Sequence, residues 1–583
     1  MQESHRVNHR NHVQKIGATL AVALTLHQVP GAAQAVPQAT GVIPPNPEQQ
    51  GIPSIRREGP VLKNVPEQMP AETPPAAADQ NLPSAITRID LQAPFFAKDI
   101  EALLQQFMGK RVISGRAIES VRGQIWDLYR RHGRMSRVDL FAEPGSEADG
   151  GSVMRVRVVE IVVRTVRVEH EGEGSVDPAL LDDILSTART DIAEGGVLDL
   201  DRLDSRIKRR LFLGDVDVRA TLVPVDPTHV DVKLLVSAKP ALPVGMLAQY
   251  DNSGTRTYDR NRYTAGVAIP GHMRAGDRLD LVGITSEGMD FGRIAYEFPV
   301  VSLGSRLALS GSHIEYKALS SGVKGRSSQL GASLGHPLYI GDSAVWIGYL
   351  DYAYRHQIDL LPNAAVTGDK RISSVQGKAD ANYYLAPSQS LHFNAALVLG
   401  PLDLSSLPSA MEQDRISART DGNFVKLEWG GGWSTLFGAD GRLDARLEAK
   451  GQFANKNLDQ SEKFVLGGPA GVRAYGSSEA LGDDGYLANA EIGYRPVEWL
   501  RAFSFYDFGR IRRYHHPWVE DSIPLAYALQ GAGAGLSFSH QSLVGSVVYA
   551  HQKGRNKGLS ATGQDSEGLT SRDRLWVSLT LSW

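Results

Sequence analysis

Leu575-Trp576-Val577-Ser578-Leu579-Thr580-Leu581-Ser582-Trp583 closes the chain, and its reading decides the fold. Side chains of an extended strand alternate between two faces, so Leu575, Val577, Leu579, Leu581 and Trp583 share one face. Trp576, Ser578, Thr580 and Ser582 share the other. A soluble sandwich also alternates, but it rarely stops on its last apolar strand position. The segment is therefore expected to be the closing strand of a transmembrane barrel.

Working upstream, the same period recurs in Tyr263, Ala265, Val267, Ile269, in Trp346, Gly348, Leu350, Tyr352, Tyr354, and in Leu391, Phe393, Ala395, Leu397, Leu399. It holds over the 344 residues from 240 to 583. A ten-residue strand with its turn or loop uses roughly 20 to 22 residues, which predicts about 16 antiparallel strands with both ends on the periplasmic side. Polar positions such as Arg293, Glu297, Lys426 and Glu428 are assigned to a wet lumen.

Composition agrees by exclusion. Lys+Arg number 62 against 65 Asp+Glu, so no basic excess points to nucleic acid. Zero cysteines exclude disulfide frameworks, thiolate metal sites and thiol catalysis. The longest apolar run is too short for a helical membrane span, a limit that does not apply to alternating strands.

Residues 84–239 have a different period, and one order of elements occurs in them twice. The first copy (85–161) runs strand Ile86–Leu91, helix Ala97–Gln106, helix Arg116–His132 and strands near Met135–Phe141 and Met154–Val159. The second (162–239) runs strand Val162–Glu169, helices Asp177–Leu185 and Leu198–Leu211, then strands Val216–Val223 and Val230–Val236. Each is a β-α-α-β-β unit whose open sheet edge could pair with an extended peptide. Ahead of them, residues 1–35 read as a secretory signal, with Arg6, Arg10 and Lys15, the apolar run Ile16–Leu26 and Ala33-Gln34-Ala35. Residues 36–84 read as a Pro-rich linker.

One stretch of the barrel region is not a strand. Residues 464–485 carry Gly467, Gly468, Gly471 and Gly476 around Val472, Arg473, Ala474 and Tyr475. The glycines permit tight folding, and an arginine held inside a barrel would seek a carboxylate. Phe505, Asp507 and Gly509 lie on one face of the segment Arg501–Arg510, making Asp507 the candidate partner.

Signal, linker, two repeats resembling POTRA domains, barrel, the Val472-Arg473-Ala474-Tyr475 loop and the Phe505-x-Asp507-x-Gly509 strand together resemble the TpsB transporters of two-partner secretion. These are the hemolysin/hemagglutinin activator group of the Omp85 superfamily. Ala474 stands where that family usually has Gly, and Trp583 where Phe is commoner. Asp251-Asn252-Ser253-Gly254 also resembles the family's opening barrel strand, whereas Pro47–Arg57 is a poor match to its plug helix. The resemblance implies an outer-membrane protein of a Gram-negative bacterium with its repeats in the periplasm. It also implies an unfolded TpsA-like exoprotein as partner, export without ATP, and Arg473 at the tip of a lumenal loop paired with Asp507. Leu579, Leu581 and Trp583 would serve as the signal read by the barrel-assembly machinery, and outer-membrane lipid would surround the barrel. No cofactor, metal, nucleic acid or catalytic residue is implied. The alternatives are an Omp85-type assembly or insertion factor, which usually carries more repeats, and a barrel enzyme or porin. Gly331-Ala332-Ser333-Leu334-Gly335 matches a hydrolase pattern but sits inside an alternating run. His515-His516 and Asp483-Asp484 read as solvated loop residues.

Overall fold

The alternation closes on itself from Gly245 onward: sixteen antiparallel strands form a closed barrel in the computed structural model. That structure describes residues 79–583, apart from gaps within 147–149, 172–177, 193–194, 201–215, 239–243, 272–275, 361–365, 439–440 and 519–522 and at positions 342 and 387. The expected signal (1–35) and most of the expected linker (36–78) lie outside the described residues.

The barrel strands are β9 (Gly245–Asp251), β10 (Arg262–Pro270), β11 (Arg278–Ser286), β12 (Met289–Val300), β13 (Ser305–Lys317), β14 (Lys324–Ile340), β15 (Ala344–Leu360) and β16 (Val366–Ala386). They continue with β17 (Gln389–Asp403), β18 (Gly422–Phe437), β19 (Leu443–Ala454), β22 (Asp484–Val497), β23 (Leu500–Arg512), β24 (Ala526–His540), β25 (Leu543–Lys553) and β26 (Asp573–Ser582). The short strands β20 (Phe464–Val465) and β21 (Leu481–Gly482) pair only with each other, inside the connection between β19 and β22.

Period-2 patterning puts one apolar set outside. Leu350, Leu397, Ile492, Leu536 and Leu575 are 45–66% exposed, a surface that water would not tolerate and hydrocarbon does. Near the periplasmic ends, Tyr339, Trp346, Tyr383 and Phe393 form a row of neighbouring rings with centroids 5.9–6.3 Å apart. Such a girdle belongs at a membrane–water interface.

The ring closes where β26 meets β9, in a ladder running from Ser578↔Asp251 to Ser582↔Leu247. Beyond it, Asn252 stands in for a further strand residue. Its Oδ1 accepts from the Val577 N–H at 2.8 Å and its Nδ2 donates to the Leu575 carbonyl at 2.9 Å. Edge groups of β26 that would be costly to leave unpaired are thus met by one carboxamide.

The N-terminal unit contains the two small sheets. In the first, β2 (Ile86–Gln92), β5 (Ser152–Glu160) and β4 (Ser136–Pro144) lie in that order. They are covered by α1 (Ala97–Leu104) and α2 (Gly115–Arg130). Ile100 and Leu104 on α1 and Ile118, Val121, Ile125 and Tyr129 on α2 recur at helical spacing and are buried in one cluster with Val156 and Leu140. The second sheet has the order β6 (Val162–His170), β8 (His229–Ala238), β7 (Val216–Asp226), with α3 (Pro178–Ile192) beside it. Most of the predicted helix Leu198–Leu211 falls outside the described residues. One boundary differs from the reading by composition: β1 (Gln80–Asn81) pairs with β3 (Val112–Ile113), and Leu82 packs on the first core. A Pro-rich stretch with one well-placed leucine thus contributes a strand where composition alone suggests linker.

Candidate functional site: the loop folded into the lumen

The connection from β19 to β22 turns inward because its own backbone closes it. Leu466 N–H bonds the Ala480 carbonyl at 3.1 Å, Val472 N–H bonds the Leu466 carbonyl at 2.7 Å, and Gly468 N–H bonds the Tyr475 carbonyl at 3.1 Å. Gly468 has φ 100°, a conformation L side chains rarely adopt, and a Cβ on Gly467 would lie 2.2 Å from the Gly476 carbonyl oxygen. The apolar tip then has somewhere to go. Leu466, Val472, Ala474 and Tyr475 are at most 1% exposed and pack with Phe505, Leu487, Leu529, Val548 and Trp576 from the wall. Along β22 to β26 the lumen is therefore a dry core, in contrast to the wet interior expected from strand patterning.

Into this core the loop carries a charge. The Arg473 guanidinium donates from NH2 to Asp507 Oδ1 at 2.7 Å and from Nε to Asp507 Oδ2 at 2.9 Å. Its backbone N–H reaches the same carboxylate at 3.0 Å. NH1 bonds Glu491 Oε1 at 2.5 Å, and the guanidinium lies 3.5 Å from the centroid of the Phe505 ring. Two carboxylates, a fork geometry and an aromatic face together offset the desolvation of a buried cation. The Arg473 and Ala474 carbonyls accept from Trp576 Nε1 at 2.7 Å and Gln552 Nε2 at 3.3 Å.

Phe505, Asp507 and Gly509 all face the lumen from β23. A Cβ on Gly509 would lie 2.5 Å from Leu466 Cδ2, so the missing side chain makes room for the loop. Gly531 on β24 does the same for Ala474, whose methyl would lie 2.7 Å from a Cβ there. Glu491, Asn489, Trp576 and Gln552 were not identified from the sequence. Asn489 Nδ2 bonds both Asp507 Oδ1 at 2.7 Å and the Gly471 carbonyl at 3.1 Å. Leu579, Leu581 and Trp583 lie at the other extreme, 42–54% exposed on the outer face.

One reading changes. Asp483 is fully buried rather than part of a solvated stretch: it holds Lys463 Nζ at 2.5 Å and the backbone N–H of Leu458 and His515. His515 in turn bonds Asp484 through Nδ1 at 3.0 Å, so these residues tie two loops together. Gly331–Gly335 lies within β14, which has no strand-to-helix elbow there. Among the described residues no group of three or more His, Asp or Glu side chains is arranged to hold a metal ion.

A family model described as haemolysin secretion/activation protein ShlB/FhaC/HecB matches residues 231–538. The heme/hemopexin transporter protein HuxB of Haemophilus influenzae is 24% identical over 321 residues, 53% of this chain and 56% of that protein. HuxB of strain 86-028NP is 25% identical over 324 residues with the same shares. The chain thus spans about half the length of the curated relatives it matches. Among solved structures, CdiB from Escherichia coli superposes with a TM-score of 0.59 at 16% identity, covering 89% of this chain and 94% of that one. CdiB from Acinetobacter baumannii gives 0.56 at 15%, covering 99% and 97%. The barrel, its lipid-facing surface and the extent of the family match show that the chain belongs to the haemolysin secretion/activation ShlB/FhaC/HecB family, the TpsB transporters of the Omp85 superfamily, seated in the outer membrane with its N-terminal domains in the periplasm.

Proposed function

We propose that this protein captures an unfolded large exoprotein of the adhesin, hemagglutinin or hemolysin type in the periplasm and passes it outward through the barrel without ATP. The two POTRA-like sheets receive the client by strand addition, and the Arg473 loop is the element that must rearrange for passage. The observation that carries this reading is the loop clamped inside the lumen by Arg473 and Asp507. A passive porin has no need of such a plug, and its buried ion pair is a costly feature to retain without a role. The protein acts as a conduit and performs no chemistry on its client. HuxB is by name a heme/hemopexin transporter protein, which makes a heme-related secreted protein one candidate client.

The runner-up is an outer-membrane assembly or insertion factor, disfavoured by the two repeats. The test is secretion of a large exoprotein with a β-helical N-terminal domain, should the adjoining gene encode one, measured in the medium with the transporter present, absent, or carrying Arg473→Ala or Asp507→Ala. Export lost in the deletion and lowered in both variants supports the proposal. Unchanged export without the transporter, together with failure of other outer-membrane barrels to insert, would favour the runner-up.

A further inference from the structure

The motif loop is held at a second place, ahead of Arg473 in the chain. Before the loop turns toward its tip, Gln460–Glu462 forms a single 3-10 turn capped by the Asp459 side chain, which brings two carboxylates together. Glu462 is 4% exposed and bonds Lys426 Nζ of β18 and Arg355 NH1 of β15, each at 3.0 Å. Lys426 and Arg355 are themselves 3% and 4% exposed. Asp459 meets Lys370 Nζ of β16 at 2.9 Å. The Glu462 carbonyl accepts from Gln452 Nε2 of β19 at 3.0 Å, and Arg355 also donates to Ser461 Oγ at 3.3 Å.

Ring position gives these contacts their meaning. In the closed order of sixteen strands, β15 stands seventh and β25 fifteenth, diametrically opposite. Glu462 bonds β15, and Ala474 bonds Gln552 on β25. The loop is therefore a bar fixed to the wall at both ends, its root on strands from β15 to β19 and its tip on strands from β22 to β26. Its charges are inverted along its length: an anionic root on a cationic wall and a cationic tip on an anionic wall. Buried pairs are little weakened by salt, and removing one partner leaves an uncompensated charge, so neither end lets go without a competing interaction.

We propose that the root of the motif loop, Glu462 with Lys426 and Arg355 and Asp459 with Lys370, is a second latch, and that the lumen opens only when this root is released as well as the Arg473 tip. The proposal rests on the export reading for its purpose, but the bar itself is measurable without a client. The full-length protein in planar lipid bilayers is compared with Glu462→Gln by ion conductance, each first shown to be folded by its heat-modifiable gel mobility. Glu462→Gln is expected to open several-fold more often than the unaltered protein, with Arg473 and Asp507 intact. Should Glu462→Gln give no folded barrel, Lys370→Gln, which frees only Asp459, carries the same expectation.

The absence of cysteine allows the converse experiment. Glu462→Cys and Lys426→Cys, joined by a short cleavable thiol cross-linker, should abolish openings and export until the link is cleaved. Folded Glu462→Gln, or folded Lys370→Gln in its place, with unaltered conductance would overturn the latch, as would full export by the cross-linked chain. Absence of export by the unaltered protein would instead count against the export reading and leave the conductance result standing.

Discussion

Arg473 and Asp507 are joined three times, by Nε, by NH2 and by the backbone N–H of the arginine, at 2.9, 2.7 and 3.0 Å. The side-chain fork fixes the guanidinium plane and the backbone bond fixes the loop beneath it. Charge alone would do neither. Arg473→Lys keeps the cation but not the fork, at a cost of about 2 kcal/mol, or roughly 30-fold in the balance between docked and released loop. The expected result is a folded barrel with raised ion conductance and lowered export. Unaltered conductance and export would show that any cation serves.

Gly531 and Ala474 should behave as a coupled pair. A methyl at Gly531 would lie 2.7 Å from the Ala474 methyl, so Gly531→Ala overpacks the tip by about 1–3 kcal/mol. Ala474→Gly removes the clash, and the double substitution should recover most of the loss. Resistance of the folded barrel to heat in detergent reads this, and additive losses would contradict the packing.

In the first small domain, the fully buried Tyr129 hydroxyl donates to the Phe95 carbonyl at 3.0 Å and accepts from the Phe95 N–H at 3.2 Å. Burial raises its pKa above the ordinary tyrosine value. Tyr129→Phe leaves both backbone groups unpaired and should cost about 1–3 kcal/mol. Faster hydrogen exchange in peptides covering 93–104, with the barrel unaffected, is the expected outcome.

The turn between β7 and β8 is pH-sensitive. Asp226 accepts from the backbone N–H of Thr228 and from His229, which holds its pKa down at about 2. A carboxylate with a lowered folded pKa stabilises fully above its unfolded value near 4, and that support fades as pH falls toward about 2. Exchange protection of the His229 amide should fall over that window and be independent of it in Asp226→Ala. Protection that rises on acidification would contradict the assignment.

Particular residues show where sequence stopped being sufficient. Asp507 was nameable as Arg473's partner because both belong to short local patterns. Glu491 and Asn489 were not, although they sit on the neighbouring strand, paired with Phe505 and Asp507. The reason is a register shift between Tyr494 and Val497. Counting back from the turn at Val497↔Leu500 would place Ala490 opposite Asp507 and send Glu491 and Asn489 to the lipid face. A bulge of one residue thus conceals half of the site.

What the sequence determined by itself was whatever repeats locally: the alternation that makes sixteen strands, the helical spacing of the first small domain, and the glycines around Arg473. Only the tertiary structure decided which distant side chains meet. Arg355 and Glu462 are 107 residues apart in the chain, and nothing in either neighbourhood names the other. Closure of the ring sets those meetings, because strand number, register and bulges together fix which side chains line the lumen at the same height. Burial then makes each pairing obligatory, since a charge brought into that interior without a partner would cost more than the barrel has to spare.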